Sequence, residues 1–251
     1  MLWMIVLSAM VIGLSLGVLG AGGAILTVPA LIFFTPMDEK TAIAHSLVIV
    51  GIIALAGTLI NSVKGQGRFC WPVFNRFALT SVPGAALGAM VGMFIAAQLQ
   101  LLLLVAIMLV SAWRMLAKKP ALPAHTPSLG WLLPIGFITG GITGLVGVGG
   151  GFLIVPALTL VAGLTISQAS ATSLALIAIN CAIAVFSLVI SDASVNWLPS
   201  VLLIMGGCGI AGTWAGIYMA GKLSATFLQR LFAGCLVAIA SIMIIDRLWL
   251  V

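Results

Sequence analysis

The chain alternates between long apolar stretches and short polar segments. Four apolar stretches precede a polar, proline-rich segment at 118–128, and four follow it. Apolar runs of about 20 residues predict helices that are long enough to cross a bilayer. The pattern predicts long stretches at 1–35 and 129–163, and helices near 41–63, 72–96, 99–117, 168–190, 197–221 and 224–246.

The pattern repeats with an offset of 127 residues. Residues 17–31 read GVLGAGGAILTVPAL, residues 144–158 read GLVGVGGGFLIVPAL, and nine of the fifteen positions are identical. The register continues, because AIAHSL at 42–47 matches ASATSL at 169–174. The chain is therefore interpreted as a duplication. Its predicted parts are repeat 1 at 1–117, a linker at 118–128 and repeat 2 at 129–251.

Glycine clusters interrupt the first stretch of each repeat, as Gly22-Gly23 and as Gly149-Gly150-Gly151. Each glycine weakens a helix by about 1 kcal/mol relative to alanine. One helix over 1–35 would be about 52 Å long, whereas the hydrocarbon core is about 30 Å thick. Each stretch is therefore predicted to form a broken helical hairpin that is hinged at its glycines.

Composition places the chain in the membrane. It has 251 residues, of which 63% are hydrophobic and 6% are charged, against about 25% charged residues in soluble domains. The expected fold is an all-α polytopic membrane protein, with a broken hairpin and three transmembrane helices in each repeat. Its surroundings are the lipid bilayer, and no nucleic-acid partner is expected.

Charge predicts how the two repeats are oriented. The 64–76 loop and the 114–119 region of repeat 1 are basic, and basic loops stay in the cytoplasm. In repeat 2 the pattern reverses: the first matching loop holds only Asp192, and the next region holds Lys222 and Arg230. This indicates inverted-topology repeats, which are common in secondary transporters. Eight plain spans with parallel halves remain the alternative.

The glycine breaks are candidate anion sites. The first N–H groups of a helix lack internal partners and carry partial positive charge, and glycine lets a ligand approach the backbone. Two breaks that are related by the repeat would then face one substrate. The alternative is close packing through small residues, which better explains Gly84-x-x-x-Gly88-x-x-x-Gly92 and Gly212-x-x-x-Gly216. The candidate residues at the breaks are Gly20, Gly22, Gly23, Ala24, Gly147, Gly149, Gly150 and Gly151.

Polar side chains follow each break on the next helix. They are His45 and Ser46 in repeat 1 and Thr172, Ser173 and Asn180 in repeat 2. Hydroxyl groups donate to anion oxygens, although within a helix they also bond to the carbonyl four residues earlier. His45 is a candidate for proton coupling, because histidine titrates near neutral pH. The alternative for His45 is a hydrogen bond to backbone near the membrane interface.

At these residues the chain resembles the TauE/SafE family, also called sulfite exporters. The resemblance rests on the duplicated G-x-x-G-x-G-G-[AG]-x-L-x-x-P-A-L followed by A-x-A-x-S-L. It implies transport of sulfite or a small organosulfur anion across a bacterial inner membrane. Repeat 1 departs from repeat 2 at Ala24, which matches Gly151, and at His45, which matches Thr172, so the two half-sites are expected to differ chemically.

The favoured function is a secondary transporter of a small sulfur-containing anion, with the substrate held at the midplane by the glycine breaks. An anion channel with the same site as its constriction is the alternative. An enzyme is not expected, because the acidic residues are scattered near span ends and no catalytic motif is present. No cofactor or metal site is expected. Protons are a candidate coupling ion, and the sequence leaves the oligomeric state open.

Overall fold

A computed structural model describes residues 2–20, 22–64, 69–116, 129–147, 150–191, 196–220 and 225–249. The described part of the chain is helical and contains no strand. Short 3₁₀ turns precede α2 and α6, at Gly22–Leu26 and Leu129–Trp131. The helices are α1 (Leu2–Leu19), α2 (Thr27–Phe34), α3 (Glu39–Lys64), α4 (Trp71–Phe94), α5 (Ala97–Leu116), α6 (Leu132–Val146), α7 (Gly151–Leu160), α8 (Ile166–Ile190), α9 (Pro199–Met219) and α10 (Ala225–Trp249).

The all-α membrane fold is confirmed, and each predicted apolar stretch coincides with one or two helices. Within the described residues, five helices are long and apolar enough to cross a membrane: α1, α3, α4, α8 and α9. Helices α5 and α10 contain shorter apolar stretches, at Ala97–Val110 and Leu236–Ile245. The two long stretches do break, into α1 and α2 and into α6 and α7. The 118–128 linker lies outside the described residues.

Two helix pairs pack through direct backbone contact. In α4, a side-chain carbon added at Gly84 or Gly88 would meet the carbonyl oxygens of Phe137 or Gly141 in α6. In the same way Gly212 and Gly216 of α9 meet α1. The packing interpretation of these two glycine rows is therefore confirmed. Residue numbers rise together across both interfaces, so α4 runs parallel to α6 and α1 runs parallel to α9.

Helices α3 and α8 cross at the centre of the fold in opposite directions. An added side-chain carbon at Gly51 would lie 3.1 Å from Cys181, and one at Gly57 would lie 3.3 Å from Leu174, so numbers rise in one helix as they fall in the other. Helix α9 runs parallel to α3, since Gly209 lies against Ile53 and Thr213 lies against Gly57. Helix α4 runs parallel to α8, since Cys70 contacts Thr172 and Ser81 contacts Asn180. The helices α1, α3 and α9 thus run one way, and α4, α6 and α8 run the other way. We call the end where α3 begins the Glu39 end, and the end where α4 begins the Trp71 end.

The broken stretches form two hairpins that enter from opposite ends. Helix α1 starts with α3 at the Glu39 end, and the chain turns back at Gly20 so that α2 ends shortly before α3 begins. Helix α6 starts with α4 at the Trp71 end, turns at Gly147, and α7 returns toward the start of α8. Each hairpin therefore enters and leaves the fold on one side.

Side chains cap the starts of both central helices, α3 and α8. Asp38 accepts a hydrogen bond from the Thr41 N–H at 3.1 Å at the start of α3. Thr165 and Gln168 form a reciprocal capping box at the start of α8. The side-chain hydrogen bond from Thr41 holds the pKa of the Asp38 carboxyl below its usual value of 3.8. These caps fix where the two central helices begin.

Candidate functional site

The two hairpins turn at equivalent glycines. Gly20 and Gly147 both have φ of 73°, in the left-handed region, and their N–H groups close the last turns of α1 and α6. A side chain at Gly20 would strike Ser170, and one at Gly147 would strike Ile43. Glycine is therefore required at both turns by backbone conformation and by space.

Each turn is held by a serine from the opposite half of the chain. The Ser173 hydroxyl of α8 donates to the Gly20 carbonyl at 2.8 Å, and the Ser46 hydroxyl of α3 donates to the Gly147 carbonyl. Both serines also face the carbonyl three residues earlier in their own helix. Because a hydroxyl has one proton, neither serine has a donor free for an anion in this conformation.

The neighbouring residues hold the starts of α9 and α4. His45 accepts a hydrogen bond from the Leu198 N–H at its Nε2 atom, at 2.9 Å, while its Nδ1 atom lies 2.8 Å from the Thr41 carbonyl. The matching Thr172 accepts from the Cys70 N–H at 3.4 Å. Leu198 and Cys70 directly precede the first turns of α9 and α4. His45 is fully buried, and its ring lies 5.2 Å from the tilted ring of Trp197. Both ring nitrogens of His45 thus face backbone groups, as the alternative interpretation describes.

The structure places the two breaks at different levels. Gly20 lies with Ser173 near the Trp71 end, and Gly147 lies with Ser46 near the Glu39 end. Ser173 is level with Gly57 of α3, and Ser46 precedes Gly57 by about 17 Å along that helix. Gly20 and Gly147 therefore lie at different levels, whereas the sequence analysis expects both breaks to hold the substrate at the midplane. The difference arises because α1 and α6 cross most of the fold before they turn. The Gly22–Leu26 turn that follows Gly20 contacts α7 of the other hairpin.

The other residues of the breaks pack against their own hairpins. A side chain at Gly23 would strike the Ile12 carbonyl of α1, and Ala24 is fully buried. Gly150 has φ of 63°, and a side chain there would strike Thr143 of α6. Gly22 begins the 3₁₀ turn before α2, and Gly151 begins α7. Gly149 lies outside the described residues.

Asn180 lies apart from both breaks, near the middle of α8. It is fully buried, and its Oδ1 atom accepts a hydrogen bond from the Ser81 hydroxyl of α4 at 3.0 Å. The Asn180 Nδ2 atom has no hydrogen-bond partner among the described residues. Ser81 was not singled out from the sequence, because a serine in an apolar span carries no local signal. Only the fold shows that it meets an asparagine 99 residues away.

A cavity of about 340 Å³ opens beside the Gly147 turn, at the Glu39 end. Its polar lining includes Asp38, Lys40, Gln100 and Asn196. Lys40 donates to the Met93 carbonyl at the end of α4, and Gln100 donates to the carbonyls of Gly92 and Leu145. Gln100, in the first turn of α5, thereby joins the end of α6 to the end of α4.

Metal chemistry finds no support in the described part of the chain. No group of three or more His, Cys, Asp or Glu side chains comes close enough there to hold a metal ion. Cys70, Cys181 and Cys208 are free thiols at separate places in the fold.

Comparison with known proteins shows the family to which the chain belongs. The chain matches the family Sulfite exporter TauE/SafE over residues 5–243. It is 34% identical to a Probable membrane transporter protein of Xylella fastidiosa (strain Temecula1 / ATCC 700964), over 95% of this chain and 92% of the relative. It is 27% identical to Probable membrane transporter protein YunE of Bacillus subtilis (strain 168), over 94% and 93% of the two chains. No solved structure matches the chain with significance. With five helices that are suited to cross a membrane and a family match along nearly its whole length, the chain is a membrane transporter of the TauE/SafE sulfite exporter family and not an enzyme.

Proposed function

We propose that this protein is a secondary transporter that carries sulfite or a small organosulfonate-like anion across a bacterial inner membrane. The observation that carries the proposal is the pair of hairpins, which reach from opposite ends toward α3 and α8 and are each closed by a serine of the other half. A transporter with alternating access needs one closure at each end of its path. The family match supports a sulfur-containing anion as substrate.

We propose that the halves, 1–117 and 129–251, are inverted repeats. Exchanging equivalent helices maps the α1–α9 interface onto the α6–α4 interface, and the α3–α8 interface onto itself. Equivalent helices also run in opposite directions, since α1 and α3 oppose α6 and α8. These contacts support the duplication that the sequence indicates.

We propose that the Trp71 end faces the cytoplasm. The helix order assigns to that end the segments with Lys64, Arg68 and Arg76, with Arg114, Lys118 and Lys119, and with Lys222 and Arg230. All four acidic residues belong to segments of the Glu39 end. This asymmetry is typical of a cytoplasmic end that is rich in basic residues. Both termini and the 340 Å³ cavity then lie at the periplasmic end.

The breaks line the transport path of the anion and close it at its two ends, one end at a time. Gly20, Gly22, Gly23 and Ala24, with Thr172 and Ser173, form the closure near the Trp71 end. Gly147, Gly150 and Gly151, with His45 and Ser46, form the closure near the Glu39 end, and Gly149 belongs to the same break in the sequence. Each closure presents backbone N–H groups to the anion only after its serine contact has opened.

The test is transport by the purified protein in proteoliposomes. The panel is sulfite, thiosulfate, sulfate, sulfoacetate and taurine, each with and without a pH gradient. We expect saturable exchange of at least one sulfur-containing anion, and a dependence on the pH gradient if protons are coupled. Flux that rises linearly with driving force and does not saturate would identify a channel. Absence of transport for the whole panel would overturn the proposed function.

Orientation is tested separately with single cysteines at Ala121 and Ser191, after the native cysteines have been replaced. We expect an impermeant thiol reagent to label only the Ser191→Cys variant on intact cells. Labelling of both variants from one side would contradict the inverted arrangement.

A further inference from the structure

We propose that the transported anion is bound between the two breaks by the Asn180 amide group, which the Ser81 hydroxyl orients. The inference rests on the proposed function and specifies its substrate site. It adds a contact on α8 and α4, between the two glycine turns.

The position of Asn180 suits a site that is reached from either end. Asn180 follows Ser173, and therefore the level of the Gly20 turn, by about 10 Å along α8. Cys181 is level with Gly51, which lies about 8 Å along α3 from Ser46 and the Gly147 turn. Asn180 thus lies about halfway between the two closures, near the middle of its helix.

The chemistry of the pair suits an anion. Asn180 accepts from Ser81 at 3.0 Å, which fixes the amide plane, while its Nδ2 atom finds no acceptor among the described residues. Both side chains are fully buried. A buried donor without a partner destabilises a fold, so a group that persists in this state is expected to have another partner. Sulfite, thiosulfate and sulfonate oxygens accept hydrogen bonds from an amide.

The duplication supplies a comparison within the same molecule. Asn180 matches Ile53 at the 127-residue offset, and Ser81 matches Gly209 at the 128-residue offset of the glycine rows. Ile53 packs directly against Gly209, since a side-chain carbon added at Gly209 would strike its Cδ1 atom. The same helix contact is therefore apolar in one half and polar in the other. Because the fold accepts the apolar pair, packing alone does not require the polar one.

A simple interhelical hydrogen bond is the competing explanation, since such bonds join helices in membranes. That role uses the Asn180 Oδ1 atom and the Ser81 hydroxyl only. It does not give the two amide hydrogens of Asn180 an acceptor. The two explanations differ in whether substitution changes substrate affinity or stability.

The test copies the apolar pair into the polar half. The double variant Asn180→Ile, Ser81→Gly reproduces the Ile53–Gly209 contact, and Ile53→Val is the matched control on the apolar side. Wild type and both variants are purified as full chains and assayed in proteoliposomes with each anion of the panel. Thermal unfolding in detergent is measured in parallel.

We expect the double variant to keep its unfolding midpoint and to show a KM for the transported anion that is raised about tenfold or more. Ile53→Val should leave the KM unchanged. If the double variant does not fold, Asn180→Asp replaces it, since Asp retains an acceptor for Ser81 and lacks the amide hydrogens. An unchanged KM in a folded variant would overturn this inference and leave the proposed function standing. If wild type carries no anion of the panel, the proposed function and this inference both fail.

Discussion

Replacement of His45 separates a structural role from proton coupling. The Nε2 atom of His45 accepts from the Leu198 N–H, directly before α9, and the Nδ1 atom faces the Thr41 carbonyl. A protonated ring carries hydrogen on both nitrogens and would lose the bond to Leu198. The two hydrogen bonds therefore favour a structural role for His45, in which it holds the start of α9.

The expected loss of stability follows from the Leu198 N–H, which is left without its acceptor when His45 is replaced. His45→Leu removes the acceptor for the Leu198 N–H, and an unsatisfied buried donor costs about 1–3 kcal/mol. Leu198 is only half-buried, so water compensates in part, and we expect a loss near 1 kcal/mol in the free energy of unfolding. For a chain of this size that corresponds to an unfolding midpoint that is lower by about 2–4 °C.

His45→Gln is the discriminating variant, because its side-chain oxygen can accept from Leu198 but cannot titrate. We expect near wild-type stability and the wild-type pH dependence of transport, measured in proteoliposomes between about pH 5 and 8. Thr172→Val is the control at the equivalent position, where the 3.4 Å contact is longer and its loss should matter less. If His45→Gln folds normally and transports without any pH dependence, the structural assignment is wrong and His45 couples protons.

Further variants test packing, the second turn, a helix cap and the two ends. Gly88→Val should lower the unfolding midpoint sharply, because its side chain would strike the Gly141 carbonyl, whereas Gly207→Ala has open space and should not. Gly150→Ala should reduce the yield of folded protein even when Thr143 is also Ala, because the left-handed conformation costs about 1–2 kcal/mol; normal thermal stability of the double variant would contradict this. Asp38→Ala should cost about 1 kcal/mol of unfolding free energy at neutral pH. The pKa of Asp38 in the folded protein lies below 3.8, so its stabilising effect is complete above pH 3.8 and is lost as the pH falls through the folded pKa. If Asp38→Ala lowers the free energy of unfolding equally at pH 3 and pH 7, Asp38 is not the cap. With the other native cysteines replaced, Cys70 should react with a maleimide faster than a cysteine at Leu198 does, because the Cys70–Thr172 contact is longer, at 3.4 Å, than the Leu198–His45 bond, at 2.9 Å; the reverse order would contradict this reasoning.

The helices and their caps could be predicted from the sequence because their signals are local. The hydrophobic runs, Asp38 before α3, and Thr165 with Gln168 before α8 each act within a few residues. The glycine rows of α4 and α9 likewise indicated close helix contacts. Local patterns of this kind report where a helix begins, ends or packs.

The contacts of the candidate site depend on residues that are distant in the chain. Ser46 and Gly147 are 101 residues apart, and Ser173 and Gly20 are 153 apart. The sequence located the breaks but not their depth, which follows from how far α1 and α6 extend along α9 and α4. The cluster at Gly147 and Gly150 was interpreted as a ligand site, although left-handed backbone and contact with Ile43 and Thr143 already require glycine there.

The differences between the halves bear on which end opens more easily. Two identical inverted repeats would close both ends with equal strength. Here the Glu39 end has the His45–Leu198 bond at 2.9 Å and the Gln100 bridge between Gly92 and Leu145. The Trp71 end has the longer Thr172–Cys70 contact at 3.4 Å. Among the residues that the structure describes, the Glu39 end has the shorter and more numerous hydrogen bonds, which favour closure. We therefore expect the Trp71 end to open first, with the backbone at Cys70 separating from Thr172 when an anion enters.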